Sequence, residues 1–463
     1  MALPALILCL LFIAFLLVRD SRRRSSGSAA LWIPTLLLLI IGSRPVSLWI
    51  GGGSVSGAMG NEAERNPFDQ IFYFCVLGSS FVIATLRHVK WGKLFASNMP
   101  LMLLYAFFAI SILWSGDPIG SSKRLFKDFG ELFVIAVIFS EKNPLEAVRT
   151  VYVRCACVLF PLSVVFIRWF PNMARSFTVE GEPMYTGVTQ QKNTLGEIVL
   201  VFSLFLIWDY LETRPARWQW SRFPWDRLLL LGIGFWLLYI CQSQTAMLCL
   251  LVGTVLIVRG GWLASKMVSR IVLLGALSLP YLLFFAQRFN SAIAPIVEAM
   301  GRNMTFTGRT DIWQHITSTT VNPLIGAGYW NFWGGRGGFE ISEAMKTNVP
   351  NAHCGYLDIY LDGGIIGLIL LFLLLVAYGR RLTKNLNADR FQRVRFAMLI
   401  VMIIYNLSES MYARLTPIWF TTLLVLVDFP ALKRYVRKNR VSLHAKDNTV
   451  PLATAELPQW VSH

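Results

Sequence analysis

Only five histidines occur in this chain, and His353 lies in Asn351-Ala352-His353-Cys354-Gly355-Tyr356-Leu357-Asp358, just before an apolar run that begins near Gly363. A neutral imidazole there suits a general base that takes a proton from a hydroxyl. It equally suits a structural role at a helix start. Asp358 is a candidate to orient the ring, although spacing alone does not bring the two together. His315 falls inside a predicted helix, where a structural role fits better, and His88, His444 and His463 fall on cytoplasmic or terminal segments.

Cations supply the second kind of chemistry. Thr307-Gly308-Arg309-Thr310-Asp311-Ile312-Trp313 predicts a helix capped by Thr307, with Ile312 and Ile316 on one face and a stop before Asn322-Pro323. Arg309 then lies in the first turn. Free backbone N–H groups, the helix dipole and a guanidinium fork favour an anion there; an ion pair with Asp311 is the competing reading. Lys192 ends the polar stretch Gly187-Val188-Thr189-Gln190-Gln191 at the mouth of a helix, as a snorkelling lysine or as a point charge for a phosphate. Lys123, Arg124 and Lys127 share one end of a helix. They read as an interfacial anchor with a Lys127–Glu131 pair, or as a basic rim facing anionic phosphate. Arg288 and Trp313, at the start of the same loop and within it, are further candidate substrate contacts. Trp330, Phe332 and Trp333 could stack sugar rings, or be ordinary interfacial aromatics.

Other chemistries lack their signatures. No serine nucleophile elbow, phosphate-binding Walker loop or zinc-type HExxH occurs where it could work. Asp311, Glu340 and Glu343 leave paired-acid chemistry open without favouring it. The seven cysteines show neither metal-ligand spacing nor a disulfide framework. No metal and no cofactor are expected.

The elements that must position these residues are membrane helices. Of 463 residues, 55% are hydrophobic and 15% charged, whereas a soluble domain carries about 25% charged residues. Apolar runs recur at Leu3–Val18, Leu31–Trp49, Ile71–Leu86, Pro100–Trp114, Leu125–Phe139, Val151–Ile167, Leu195–Tyr210, Leu228–Ile240, Ala246–Val258, Ile271–Phe285, Gly363–Tyr378, Ala397–Tyr405 and Pro417–Val427. They predict an all-α polytopic membrane protein of 12–13 transmembrane helices, with one large external loop between late helices. The net charge of +17 gathers in alternate short loops, which makes it a topology signal and excludes nucleic acid as a partner. Arginines follow the first run and none precede it, so that run is expected to be an uncleaved helix with its N-terminus outside. The same alternation puts Arg309, Lys192, His353 and the Lys123 rim on the outer face. The expected organisation is N-terminal helices over 1–184, a core over 185–380 that includes the external loop 286–353, C-terminal helices over 381–440 and a polar cytoplasmic tail over 441–463.

An ordered set of short motifs resembles the O-antigen ligase/polymerase superfamily, most of all the exopolysaccharide polymerases of the succinoglycan type. The set is Gly187 to Asn193; then Gly308-Arg309 with Trp313, Asn322-Pro323 and Gly326-Ala327-Gly328-Tyr329-Trp330; then Ala352-His353-Cys354-Gly355-Tyr356-Leu357 and Gly363-Gly364-Ile365-Ile366-Gly367-Leu368. It covers roughly residues 185–380. One position departs: the family pattern has Asn after the His, and here it is Cys354.

The resemblance implies a metal-independent, inverting glycosyl transfer on the outer face of the bacterial inner membrane. Its donor would be a glycan on undecaprenyl diphosphate and its acceptor a sugar hydroxyl, with His353 as base and Arg309 as diphosphate ligand. Lys192 would be a second ligand. Lipid-linked oligosaccharide and membrane lipids are the implied partners, with chain-length and export proteins as candidate accessories. A ligase that joins finished glycan to lipid A core or protein shares the same motifs. A transporter or flippase is the alternative from another class; it would show charges at mid-membrane, broken helices and repeated halves.

Overall fold

The computed structural model describes residues 2–24, 27–51, 66–177, 181–215, 223–288, 309–384, 386, 389–430 and 432. Thr307, Gly308, the basic stretch 433–440 and the tail 441–463 lie outside them, and so does the side chain of Arg288, the last residue of its helix.

Every apolar run becomes a helix. In chain order these are α1 (Ala2–Arg23), α2 (Trp32–Ile41), α3 (Pro67–Leu86), α4 (Met99–Ser111), α5 (Pro118–Phe139), α6 (Pro144–Trp169), α7 (Lys192–Thr213), α8 (Trp225–Cys241), α9 (Gln244–Val258) and α10 (Lys266–Arg288). The loop helices α11 (Arg309–Ser318) and α12 (Arg336–Ala344) follow, then α13 (Gly355–Thr383), α14 (Arg390–Tyr405) and α15 (Pro417–Leu426). This is an all-α polytopic membrane protein. Among the described residues, five helices (α1, α3, α6, α7 and α13) are each long and apolar enough to cross a bilayer, and a sixth span forms if Trp91–Ser97 and the stretch from Met99 to Trp114, bent by 95°, count as one. The α2, α9 and α15 segments are apolar but shorter.

Proline and glycine set many of the boundaries. Pro67, Pro118, Pro144 and Pro417 stand at helix starts, where a missing N–H costs nothing. The run Leu31–Trp49 divides at Gly42 to Pro45 into α2 and a short turn, Val46–Trp49. The outer helices α1 and α3 expose leucine, isoleucine and phenylalanine along their length, as lipid-facing helices do. By contrast, α7 is buried nearly all round, against α6, α8, α9, α14 and α15. One hydrophobic core runs from Leu16 to Leu432. Described residues from each of the ranges 1–184, 185–380 and 381–440 contribute to it.

A two-stranded antiparallel hairpin, β1 (Arg175–Phe177) with β2 (Pro183–Tyr185), leads into the Gly187–Asn193 segment. Arg44 fixes that segment from behind. It is buried and donates to the carbonyls of Val188 (3.2 Å), Thr189 (3.1 Å) and Met173.

Helix α13 is broken at Gly364, whose φ of 61° and ψ of −158° leave the helical region. The break frees backbone groups that must find partners inside a membrane protein. The loop supplies them: the amides of Ala327 and Gly328 donate to Leu361 O (2.8 Å) and Asp362 O (3.1 Å), while Ile365 and Ile366 donate to Pro323 O (2.9 Å) and Leu324 O (3.1 Å). Two backbones meet here without room for a side chain. A Cβ on Gly326 would stand 2.5 Å from the Asp362 carbonyl carbon, and one on Gly364 would stand 2.4 Å from that of Leu324. That contact is the physical reason for glycine at 326 and 364, whereas Gly328 is crowded by Ser111 and Ser115 and Gly363 by Phe107.

Candidate active site

Three separated segments converge on one carboxylate, Glu409, in the connection between α14 and α15. Arg309, the first residue of α11, donates through Nη2 to Glu409 Oε1 at 2.8 Å. Asn193, in the first turn of α7 beside Lys192, donates to the same oxygen at 2.9 Å. His353 Nδ1 stands 3.7 Å from Glu409 Oε2 and makes no hydrogen bond. The imidazole is a quarter exposed, so its outer edge is open.

His353 sits in the left-handed region at φ 49°, a conformation that costs a non-glycine residue about 1 kcal/mol or more. Several contacts hold it there. The His353 amide donates to Asn351 Oδ1 (2.9 Å) and the Ala352 amide to Asp358 Oδ1 (3.1 Å). Trp313 donates its indole N–H to Ala352 O at 2.8 Å. The Gly355 amide is shared between Asn406 O and Glu409 O, both at 2.9 Å, and the Cys354 amide goes to Ser410 Oγ at 3.1 Å. The first amides at the N-terminus of α13, those of Cys354 and Gly355, are thus taken by the α14–α15 connection. A Cβ on Gly355 would overlap Asn406 Oδ1, so glycine is required. Cys354 is buried, and burial pushes its thiol up to about 11, so it fills space as a neutral group.

Asp358 turns away from His353. It accepts from Trp333 Nε1 (2.8 Å) and pairs with Arg414 Nη2 (3.1 Å), which also lies 3.6 Å from Asp362. The Arg414 guanidinium stacks on Trp330 at 3.7 Å. Arg124 lies over the same ring at 5.2 Å and donates to Trp330 O at 3.0 Å. A buried chain, Arg124–Trp330–Arg414–Asp358–Ala352, therefore ties α5 to the residue before His353.

Several expectations change. The carboxylate beside His353 is Glu409, at 3.7 Å, not Asp358, and Arg309 pairs with Glu409 while Asp311 stays exposed. The Lys127–Glu131 pair does not form: Lys127 lies 5.4 Å over the Tyr73 ring, and Glu131 is buried with neither oxygen hydrogen-bonded. Within the rim Lys123 is exposed, Lys127 half-buried and Arg124 buried against Trp330. Trp313 is buried and acts through Ala352. Lys192 opens α7, half-buried, next to Asn193. His315 Nδ1 donates to the Asp311 carbonyl of its own helix at 2.8 Å, a structural contact.

Residues 229–372 match the family model described as O-antigen ligase. The resemblance to that superfamily stands. The chain is also similar to the exopolysaccharide production protein ExoQ of Rhizobium meliloti (strain 1021), with 23% identity over 334 residues, 70% of this chain and 74% of that relative. The matched segment contains Arg309 and His353, whereas Lys192, Asn193, Glu409 and Arg414 stand outside it. The sequence reading missed Glu409 and Arg414. One signal could have found Arg414: on the predicted topology it is an external cation, and such cations need a reason.

Proposed function

We propose that this protein is an exopolysaccharide polymerase that transfers undecaprenyl-diphosphate-linked glycan repeat units to a sugar hydroxyl. The outer face of the bacterial inner membrane is the proposed site of reaction. The observation that carries the reading is the convergence of Asn193, Arg309 and His353 on Glu409 from three distant segments.

The chemistry follows from that arrangement. The acceptor hydroxyl attacks the anomeric carbon and inverts it. The bond to the lipid diphosphate breaks, and its electron pair leaves on the diphosphate oxygen. His353 takes the hydroxyl proton at Nε2, because Nδ1 faces Glu409. The carboxylate then meets the imidazolium as it forms. Glu409 engages Arg309 through one nitrogen only, so the rest of the guanidinium fork is left for the departing diphosphate. Lys192 and the Lys123/Lys127 rim add cations on the same side, and charge held ready for the leaving group is the main catalytic contribution of such a site. No step calls for a metal.

The test is polysaccharide size in a gene deletion rescued with wild type or with His353→Ala, at matched membrane levels. A polymerase without its base leaves single repeat units. Long, unattached polymer identifies a ligase instead, the reading favoured by the family description. Long, attached polymer made by His353→Ala overturns the base assignment. Flipping of labelled lipid-linked sugar by the purified protein in vesicles would support the transporter reading.

A further inference from the structure

Helix α7 is 22 residues long, about 33 Å. Lys192 opens it at the candidate site, and Asp209 lies near its other end, where a second charged cluster is built. Arg227 donates through Nε to Asp209 Oδ2 at 2.8 Å and also contacts Asp20 and Asp226. Arg24 joins Asp20 (2.9 Å) to Asp209 (3.2 Å). Arg23 reaches Asp226 at 2.9 Å, Arg19 stands 3.6 Å from the same carboxylate, and Arg149 stands 3.7 Å from Asp209. Arg149 and Arg154 lie over the rings of Trp208 (5.7 Å) and Trp32 (4.6 Å). The cluster thereby ties α1, α6, α7 and α8 together.

The charges in this cluster do not balance. Arg19, Arg23, Arg24, Arg149, Arg154 and Arg227 stand against Asp20, Asp209 and Asp226. The excess has an address: Arg149 Nε and Arg154 Nη1 are buried and have no acceptor, whereas Arg19 Nε faces the Asp226 carboxylate. Guanidinium N–H groups held out of water without acceptors are costly, and an anion that supplied oxygens would remove that cost. The surrounding surface is apolar: Val18, Trp32, Trp225, Leu228 and Leu229 are exposed on α1, α2 and α8. That surface suits acyl chains beside a charged headgroup.

We propose that this cluster binds the phosphodiester headgroup of an anionic phospholipid, with Arg149 and Arg154 supplying the free donors. Basic pockets between helices on the cytoplasmic side take acidic headgroups by the same physics. The choice of leaflet rests on the proposed sidedness; the contacts do not.

The experiment measures melting temperature and lipid adducts by native mass spectrometry on full-length protein in neutral detergent, with phosphatidylglycerol, phosphatidylcholine or inorganic phosphate added. Phosphatidylglycerol is expected to raise the melting temperature by several degrees more than phosphatidylcholine. Arg149→Gln/Arg154→Gln should lose at least half of that difference, and the exposed Lys142→Gln should keep it. If the double variant does not fold, Arg154→Lys, which keeps the charge and removes the fork, is expected to lower the yield of phosphatidylglycerol adducts. Equal responses to the two lipids, or an undiminished response in the arginine variants, would overturn the site. A shift of the same size with inorganic phosphate would overturn the lipid assignment. No readout depends on glycan transfer, so a failure here is distinct from a failure of the polymerase reading.

Discussion

Replacing Glu409 by Gln removes one negative charge and keeps the length of the side chain and one oxygen acceptor. Asn193 can still donate to that oxygen, and the bond from the Gly355 amide to the Glu409 carbonyl belongs to the backbone and survives. What is lost is the charge beside His353. In the proposed reaction the hydroxyl proton would make an imidazolium 3.7 Å from Glu409 Oε2. At an effective dielectric near 20, opposite charges about 4 Å apart attract by about 4 kcal/mol. The His353 side chain is 25% exposed, and water screening reduces that figure to about 1.5 kcal/mol. The expected loss is roughly tenfold in kcat. Weakening the charge-assisted bond to Arg309 adds about 1 kcal/mol, which should appear in KM if Arg309 holds the diphosphate. Glu409→Ala also removes the acceptor for Asn193 and Arg309 and should be worse, by roughly a hundredfold in kcat/KM. The assay is polymer formation from purified lipid-linked repeat units in proteoliposomes, normalised to protein. Wild-type kcat in Glu409→Gln would refute the electrostatic role. A change confined to KM would leave the carboxylate serving Arg309 alone.

Three further outcomes follow from the same geometry. Gly364→Ala puts a Cβ 2.4 Å from the Leu324 backbone at a φ of 61°, so it should destabilise the protein by more than about 3 kcal/mol; Gly275→Ala, with nothing within 4 Å, should not, and equal melting temperatures for the two variants would contradict the docking of loop on helix. The Cys354 thiol, pushed up to about 11, stays protonated at neutral pH, so thiol alkylation at pH 7 should spare activity and Cys354→Ala should cost less than about 1 kcal/mol of stability; inactivation that maps to Cys354 would show the opposite. Arg309→Ala should cost about a hundredfold in kcat/KM, whereas the exposed Lys123→Ala should cost only a few-fold; equal losses at unchanged protein level would remove Arg309 from its special place.

What could be read from the residues alone was whatever is local. Hydropathy and helix punctuation are properties of neighbouring residues, so all thirteen apolar runs returned as helices, and α11 ends at Ser318, before Asn322-Pro323. The bends were less legible, because a 95° turn between Ser97 and Met99 depends on what the two pieces pack against. The glycines of Gly326-Ala327-Gly328 and Gly363-Gly364 were visible as a motif. The cause for Gly326 and Gly364, the close approach of a loop to a broken helix through four backbone hydrogen bonds, is a contact between segments and leaves no local trace. The Lys127–Glu131 pair shows the opposite error: i,i+4 spacing permits a pair, but Tyr73 on another helix takes the lysine.

The same distinction explains why the site was only half visible. Arg309 and His353 could be nominated one at a time by residue type, but nothing near either of them specifies what joins them. That task falls to the connection between α14 and α15. Asn406 accepts from the Met411 and Tyr412 amides (2.9 and 3.1 Å) and so shapes the turn that carries Glu409 and Arg414. Glu409 then gathers Asn193, Arg309 and His353, while Arg414 holds Asp358 and, through it, the Ala352 amide beside the imidazole. Both residues lie beyond the 229–372 segment that matches the ligase family. That segment carries the candidate base and one cation, yet their mutual position is set from outside it. A change in the turn between Asn406 and Thr416 should therefore alter the reaction as strongly as a change in the segment itself, by moving His353 and Arg309 relative to each other without touching either.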